Sequence, residues 1–433
     1  MFTAAAGVVL AATLALALHL VLVAARAQPL AMRGLPYAVV DASLGPPRWV
    51  LLALVAIAAL QTAVLYALSR TLRRRGVSNA ERAVLTLVAL AMAAIALQSL
   101  ALTSFDPYAY AGYAKLHGLA AAYTPPHARL PGTFAVVNTV WGSPLVPCYY
   151  GPLWIGVSTL VAGGATTVGA AIFAFRALEV AALVAVLALV AARTRDARLV
   201  ALVAVNPGVY VLYVANAHND LLAVAFLLAA VLAARRVPVV AAICVVAASL
   251  IKVPFAVFAL YVFARLRARA LRIAWAAVTI AAAAAVSFAL GGAPYVRDLL
   301  ARVHQTTSEA GLAFVTAETI KAGLAIVAVV ALIAAVGRAV IWRAAGYAFT
   351  AFGSIVYPWY LIWALPYAAL APRALPAVLV PLPLVAALME PAFPHVGFGQ
   401  LAMLAILIVA AYEMLRRAPL RIERARYSVR PGP

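Results

Sequence analysis

The chain has 433 residues, of which 67% are hydrophobic and 10% charged, and carries a formal net charge of +21. So little polar surface cannot cover a water-soluble globule, in which about a quarter of the residues are charged. The positive excess does not point to nucleic acid either: the arginines gather in short segments between apolar runs, where they report membrane orientation.

The first run, Met1 to Ala25, is long enough to cross the hydrocarbon layer, which takes about 20 apolar residues. No small-residue cleavage motif follows it, so it reads as a retained helix and not as a removed signal. Backbone amides in lipid must bond within their own segment, so each later Ala/Leu/Val run should also be helical. Helices are expected near 49–69, 83–103, 171–192, 199–215, 219–234, 237–250, 253–264 and 273–290. Others are expected near 319–337, 344–357, 359–371, 374–390 and 398–415. The fold class is therefore an all-α, polytopic transmembrane bundle of about 12 to 14 crossings. Proline hinges at Lys252-Val253-Pro254 and Tyr357-Pro358-Trp359-Tyr360 divide two helix pairs.

Arginine sets the sidedness. With Arg70–Arg82 inside, 193–198, 235–236, 265–272, 338–343, Arg373 and the tail after Leu415 also fall inside. These segments hold 23 of the 33 basic residues, although the outer segments are much longer. Most acids fall outside, among them Asp41, Asp106, Asp220, Asp298, Glu309, Glu318 and Glu390. The longest outer segment spans 104–170. Its run from Pro152 to Val161 is too short to cross and is expected on the outer surface or partly inserted. A second outer loop is expected over 291–318. Cys148 and Cys244 imply no disulfide framework.

Polar residues that an apolar bundle does not need mark candidate chemistry. Asp106-Pro107 should open a short helix with Asp106 as its cap, lying flat at the interface with Tyr108, Tyr110 and Tyr113 at headgroup level. A cap carboxylate at a membrane exit can also face a cavity. Asn206-Pro207 and Asn216-Ala217-His218-Asn219-Asp220 join apolar helices and are more polar than a turn requires. A metal held by His218 and Asp220 lacks a third ligand. Lys252 sits in an apolar stretch, where a lysine either snorkels or works. All three lysines fall outside, and a compact ammonium suits a phosphate, an argument Lys115 and Lys321 share more weakly. Tyr357, Trp359, Tyr360 and Trp363 read as an aromatic belt or as the lining of a lipid or sugar groove. Cys148 to Trp154 reads as an interfacial anchor or as a wall of the outer cavity. Arg176 and Glu179, three apart on one helix, read as a structural ion pair.

The order of these motifs resembles the GT-C superfamily of membrane glycosyltransferases, and most closely the bacterial polyprenyl-phosphate-mannose-dependent mannosyltransferases. The resemblance rests on the outer Asp106 with its tyrosines and His117-Gly118, on Tyr150-Gly151-Pro152-Leu153 and on the Asn-Pro…Asn-Ala-His-Asn-Asp segment. The Lys-x-Pro hinge and Tyr-Pro-Trp-Tyr complete it, so that it spans about Leu97 to Leu370. It departs after Gly118, where Leu-Ala-Ala-Ala-Tyr123 stands in place of Asn-Pro-Tyr.

The first two helices lie outside this span, and the chain divides in two: residues 1–82 as two helices with a basic inner loop, and 83–433 as the expected catalytic domain. The resemblance implies transfer of a hexose, mannose above all, from a polyprenyl-phosphate donor to a hydroxyl of a glycan or glycolipid acceptor, with inversion. The site would face outward from a bacterial plasma membrane, with the C-terminus inside. Asp106 would be the base, and Lys252 would meet the phosphate. His218, Asn219 and Asp220 would hold sugar hydroxyls or help at the phosphate. Tyr108 and Tyr113 would stack on sugar, with Tyr357, Trp359 and Tyr360 also lining the substrate. Some relatives use a divalent cation, and nothing in these residues requires one. A lipid or glycolipid transporter is the alternative, since broken helices suit one too. Its ionisable groups should line a path through the membrane, not gather at one face.

Overall fold

A computed structural model describes residues 1–29, 33–40, 47–116, 118–124, 130, 132–141, 145–234, 236–266, 268–305 and 379–387, with positions 362, 365 and 376. The expected helices at 319–337, 344–357 and 398–415 lie outside the described residues, as do Tyr357, Trp359, Tyr360 and Lys321.

Three long helices open the chain: α1 (Phe2–Arg26), α2 (Arg48–Arg75) and α3 (Asn79–Gln98). At about 1.5 Å per residue each reaches some 30 Å or more, enough to cross a bilayer. The arginine-rich end of α2 meets the start of α3 and the N-terminal end of α1. Ser78 accepts from the Glu81 amide at 3.2 Å and the Ser78 amide donates to Glu81 at 3.1 Å, a reciprocal cap that starts α3. Glu81 also accepts from Thr3 of α1 and pairs with Arg75 of α2. α3 starts earlier than expected because of this cap. It stops at Gln98 because the chain then extends, and β2 (Ala101–Leu102) pairs in parallel with β1 (Ala38–Val39).

The segment after β2 is buried, not interfacial. α4 (Asp106–Tyr113) has seven of its residues buried, its tyrosines included, so the expected helix at headgroup level is corrected. Beyond α5 (Val136–Trp141), α6 (Pro152–Ala162) turns at Gly163 into α7 (Val168–Thr194). Trp154 of α6 meets Phe175 of α7 with centroids 5.9 Å apart, nearly equidistant from the turn, so the two form an antiparallel hairpin. The run at 152–162 is thus packed along α7, with Trp154, Ile155, Ser158 and Ala162 buried.

The expected helix at 199–215 is broken. α8 (Ala197–Ala204) and α9 (Pro207–Ala215) meet at 51°, because Pro207 lacks the amide that would continue α8. Asn206 caps the restart, accepting from the Gly208 amide at 3.0 Å and donating to Leu379 O at 2.6 Å. It therefore belongs to a mid-helix break and not to the polar turn ten residues on. α9 ends in a π-turn over Tyr210–Ala215, and Ala217 follows with φ 49°, a left-handed conformation rare outside glycine.

A hairpin of α10 (Asp220–Ala233) and α11 (Pro238–Ile251) comes next, each helix 14 residues or about 21 Å long. A short 3-10 turn (Val253–Val257) leads into α12 (Phe258–Arg265). α13 (Arg269–Gln305) takes in the first part of the region expected as a second outer loop, of which 306–318 lies outside the described residues. It kinks at Gly292 (φ 61°, ψ −166°), and Pro294 restarts the helix just beyond. α14 (Leu382–Ala387) packs on the α8–α9 break. Among the described residues five helices are long and apolar enough to cross a membrane, or six with the bent pair. One hydrophobic cluster runs from Ala6 of α1 to Ala386 of α14.

Candidate active site

Four chain ends converge where α3 finishes and α10 begins. Asp106 opens α4. Its carboxylate does not cap the helix, as expected, but turns to side chains from elsewhere. Tyr150 donates to Asp106 Oδ2 at 2.7 Å, Tyr110 donates to it at 3.4 Å, and His218 Nδ1 stands 3.2 Å away. All three converge on Oδ2, and Oδ1 receives none of them. Asp106 retains 13% exposure on its side chain, whereas His218 and Asp220 are fully buried.

Burial by itself would raise the Asp106 carboxyl. The hydrogen bond and charge of His218, the Tyr150 hydroxyl and the Lys252 charge outweigh it and hold the group below its ordinary value. Burial, then the adjacent Asp106 charge, push the Tyr150 phenol well up, so it stays a donor.

Lys252, at the end of α11, donates to both oxygens of Asp220, at 2.9 and 3.1 Å. Its ammonium also lies 5.7 Å from the centre of the Tyr150 ring. The reason the Tyr150 and Lys252 segments can touch is Gly151. Its amide donates to Ile251 O at 3.0 Å, and a Cβ there would stand 2.2 Å from Leu250 O. Tyr123 secures the same segment by donating to Tyr150 O at 2.9 Å. Asn219 is fully buried, and neither polar atom of its side chain has a hydrogen-bond partner among the described residues.

Several expectations change at this point. Tyr108 is buried with its hydroxyl engaged twice by Tyr37: it accepts from the amide at 2.9 Å and donates to the carbonyl at 2.6 Å. Tyr113 is buried too and donates to Val146 O at 2.9 Å. These two rings brace the loop and offer no open face to a sugar. Lys115 donates to Gly163 O at 2.7 Å and to Ala165 O, closing the α6–α7 turn, so it is a helix-end clamp and not a phosphate ligand. Arg176 does not pair with Glu179. It bonds to backbone carbonyls, while Glu179 lies within electrostatic reach of Asp220 and Lys252, beside the Leu222 amide. Tyr150 and Tyr110 are the contributors that the sequence did not single out as partners of Asp106. The only signal for Tyr150 was its place before Gly151-Pro152. Among the described residues no three His, Cys, Asp or Glu side chains are grouped to hold a metal ion.

Comparison with known proteins adds one positive finding. A family model described as alpha-(1->6)-mannopyranosyltransferase, N-terminal domain (the MptA_B family), matches residues 4–269. The match takes in the first two helices, which the motif resemblance did not reach, and covers well over half of the chain. No curated protein and no solved structure matches the chain. The all-α polytopic bundle is of GT-C type, and the chain belongs to the alpha-(1->6)-mannopyranosyltransferase family of membrane glycosyltransferases.

Proposed function

We propose that the enzyme moves mannose from a polyprenyl phosphate to a hydroxyl of a glycan or glycolipid, on the outer face of a bacterial plasma membrane and with inversion. The observation that carries this reading is the gathering of Tyr150, Tyr110 and His218 on one oxygen of the partly exposed Asp106. Three groups orient the carboxylate and hold it ionised while Oδ1 is left to take a proton.

In the step, the acceptor oxygen attacks the anomeric carbon as the bond from that carbon to the phosphate oxygen breaks. The polyprenyl phosphate leaves with the bonding electrons, and the hydroxyl proton passes to Asp106. A single displacement inverts the anomeric carbon. Lys252, held by Asp220, has its charge within reach of this carboxylate and would offset charge on the departing phosphate. The unsatisfied amide of Asn219 suits a hydroxyl of the sugar. A lipid-tailed donor accords with an enzyme that is nearly all membrane helix and shows no nucleotide-binding loop in its sequence. Outward orientation is supported by the arginine-rich junction of α1, α2 and α3, which lies a full helix length, about 30 Å, from Asp106. The transporter alternative gains nothing from the family assignment.

The test is turnover by purified protein against a panel of lipid-phosphate and nucleotide sugars, with the anomeric configuration of substrate and product read by NMR. Asp106→Asn should abolish transfer on the productive donor. Full activity of that variant removes Asp106 as base, retention of configuration removes the single displacement, and turnover of a nucleotide sugar alone removes the lipid donor.

A further inference from the structure

Arg176 is a fully buried cation on a membrane-length helix. Its guanidinium is used entirely on main chain. Nε donates to Ala215 O at 2.7 Å, Nη2 to Ala101 O at 3.1 Å, and Nη1 to Leu97 O at 3.2 Å and to Ser99 O. The ring of Tyr37 lies 4.7 Å from the cation. Leu97 belongs to the last turn of α3, whose carbonyls have no helical partner and present the negative end of the helix. Ser99 and Ala101 lie on the extended segment that leads to Asp106. Ala215 ends the π-turn, three residues before His218. One side chain thus ties together the two segments that deliver Asp106 and His218.

A second tie joins the same segments. The Thr103 amide donates to Asn216 Oδ1 at 2.8 Å, and Asn216 Nδ2 donates to Thr103 Oγ1 at 2.6 Å. Between this tie and His218 stands only Ala217, in its left-handed turn. The backbone has no slack there, so whatever fixes Asn216 also fixes where the imidazole arrives.

We propose that Arg176, together with Asn216 on Thr103, is a positioning lock that sets the approach of His218 to Asp106 and thereby the rate of transfer. The proposal rests on the reading of Asp106 as base. Only arginine suits the post, because its planar fork has five donors and reaches four separate carbonyls, whereas a lysine ammonium is a single point with three. Release of the carbonyls would let the two segments drift, and displacement of about 1 Å at reacting groups costs on the order of 10²-fold in rate.

The experiment compares Arg176→Lys, Asn216→Ala and Thr103→Val with His218→Asn and Asp106→Asn in full-length reconstituted protein. It reads kcat, both KM values and the acid limb of the kcat–pH profile. Asp106 is faced by His218 from the turn before α10, Tyr150 from the segment before α6, Tyr110 from its own helix and Lys252 from the end of α11. Loss of the His218 contact removes a donor that favours the carboxylate, so the acid limb should move to higher pH. Arg176→Lys and Asn216→Ala should lower kcat about 10²-fold and about tenfold, leave both KM values nearly unchanged and raise the limb as His218→Asn does. Adding His218→Asn to Arg176→Lys should shift it no further. Amide exchange should quicken at 99–106 and 215–219 in both lock variants.

A merely structural role would lower the active fraction and leave the limb unmoved, and that result overturns the lock. Should Arg176→Lys not fold, Asn216→Ala and Thr103→Val decide the matter, since the first removes only the second tie and the other only its hydroxyl half. Inactive Asp106→Asn beside lock variants with wild-type kcat and profile defeats the lock alone. Active Asp106→Asn defeats the base reading, while faster exchange at 99–106 and 215–219 would still support the tie between the two segments.

Discussion

Helices α1, α2 and α3 run 25, 28 and 20 residues without a break, whereas between Ala197 and Arg265 no described helix exceeds 14. The first region exposes large apolar side chains such as Leu52, Leu60, Leu87 and Leu90, as a helix bathed in lipid should. The second is largely buried and carries Asn206, Asn216, His218, Asn219, Asp220 and Lys252. Continuous helices satisfy their own amides and leave nothing to hold a polar group. Broken ones present free ends, and those ends can be capped, tied and aimed only within protein. The chemistry therefore gathers where helices stop.

Substitutions should sort along this division. The largest loss belongs to Asp106→Asn, about 10³-fold in kcat or more in a turnover assay, since a positioned base contributes on the order of 10² to 10⁴. Lys252→Ala should follow, at about 10²-fold in kcat/KM and mainly through the donor, because it removes a cation and leaves Asp220 buried without one. An unchanged donor response would detach Lys252 from the phosphate. Gly151→Ala forces Leu250 and Tyr150 apart and should lower kcat by about tenfold or more, with the fold retained by thermal melt.

Tyr150→Phe removes one donor from an already depressed carboxyl. The wild-type acid limb should lie below the ordinary aspartate range, and in this variant it should move up, with a modest loss at neutral pH. The smallest effect on catalysis belongs to the other end of the molecule. Ser78→Ala breaks the cap of α3 and should lower stability by about 1 kcal/mol while turnover per folded enzyme stays the same. A comparable loss of rate there would erase the division between scaffold and site.

Much of this was readable from residue order. Apolar run length placed α1, α2, α3 and α7 to within a few residues, and the placement of Asp106 and the His218 turn at the same end anticipated their meeting. What escaped depended on main-chain atoms. Spacing of three on a helix favours an Arg176–Glu179 pair, but it says nothing of four carbonyls gathered from α3, β2 and α9. Tyr108 looks the same in sequence whether it faces a sugar or the backbone of Tyr37. Tyr150 is 44 residues from Asp106, and only the close crossing at Gly151 brings its segment across Lys252. Helix restarts at Pro207 and Pro294 were visible as prolines, but whether each would end a span or bend it was decided by tertiary packing.

The α10–α11 hairpin has a consequence for the surrounding lipid. Each arm is about 21 Å long against a hydrocarbon layer near 30 Å, and Arg236 stands at the bend. With Arg236 at one headgroup boundary, the Asp220–Lys252 pair would sit several ångströms short of the other, and the bilayer would have to thin beside this sector or water reach down to it. Membrane thickness would then set the depth at which the Asp220–Lys252 pair meets the headgroups.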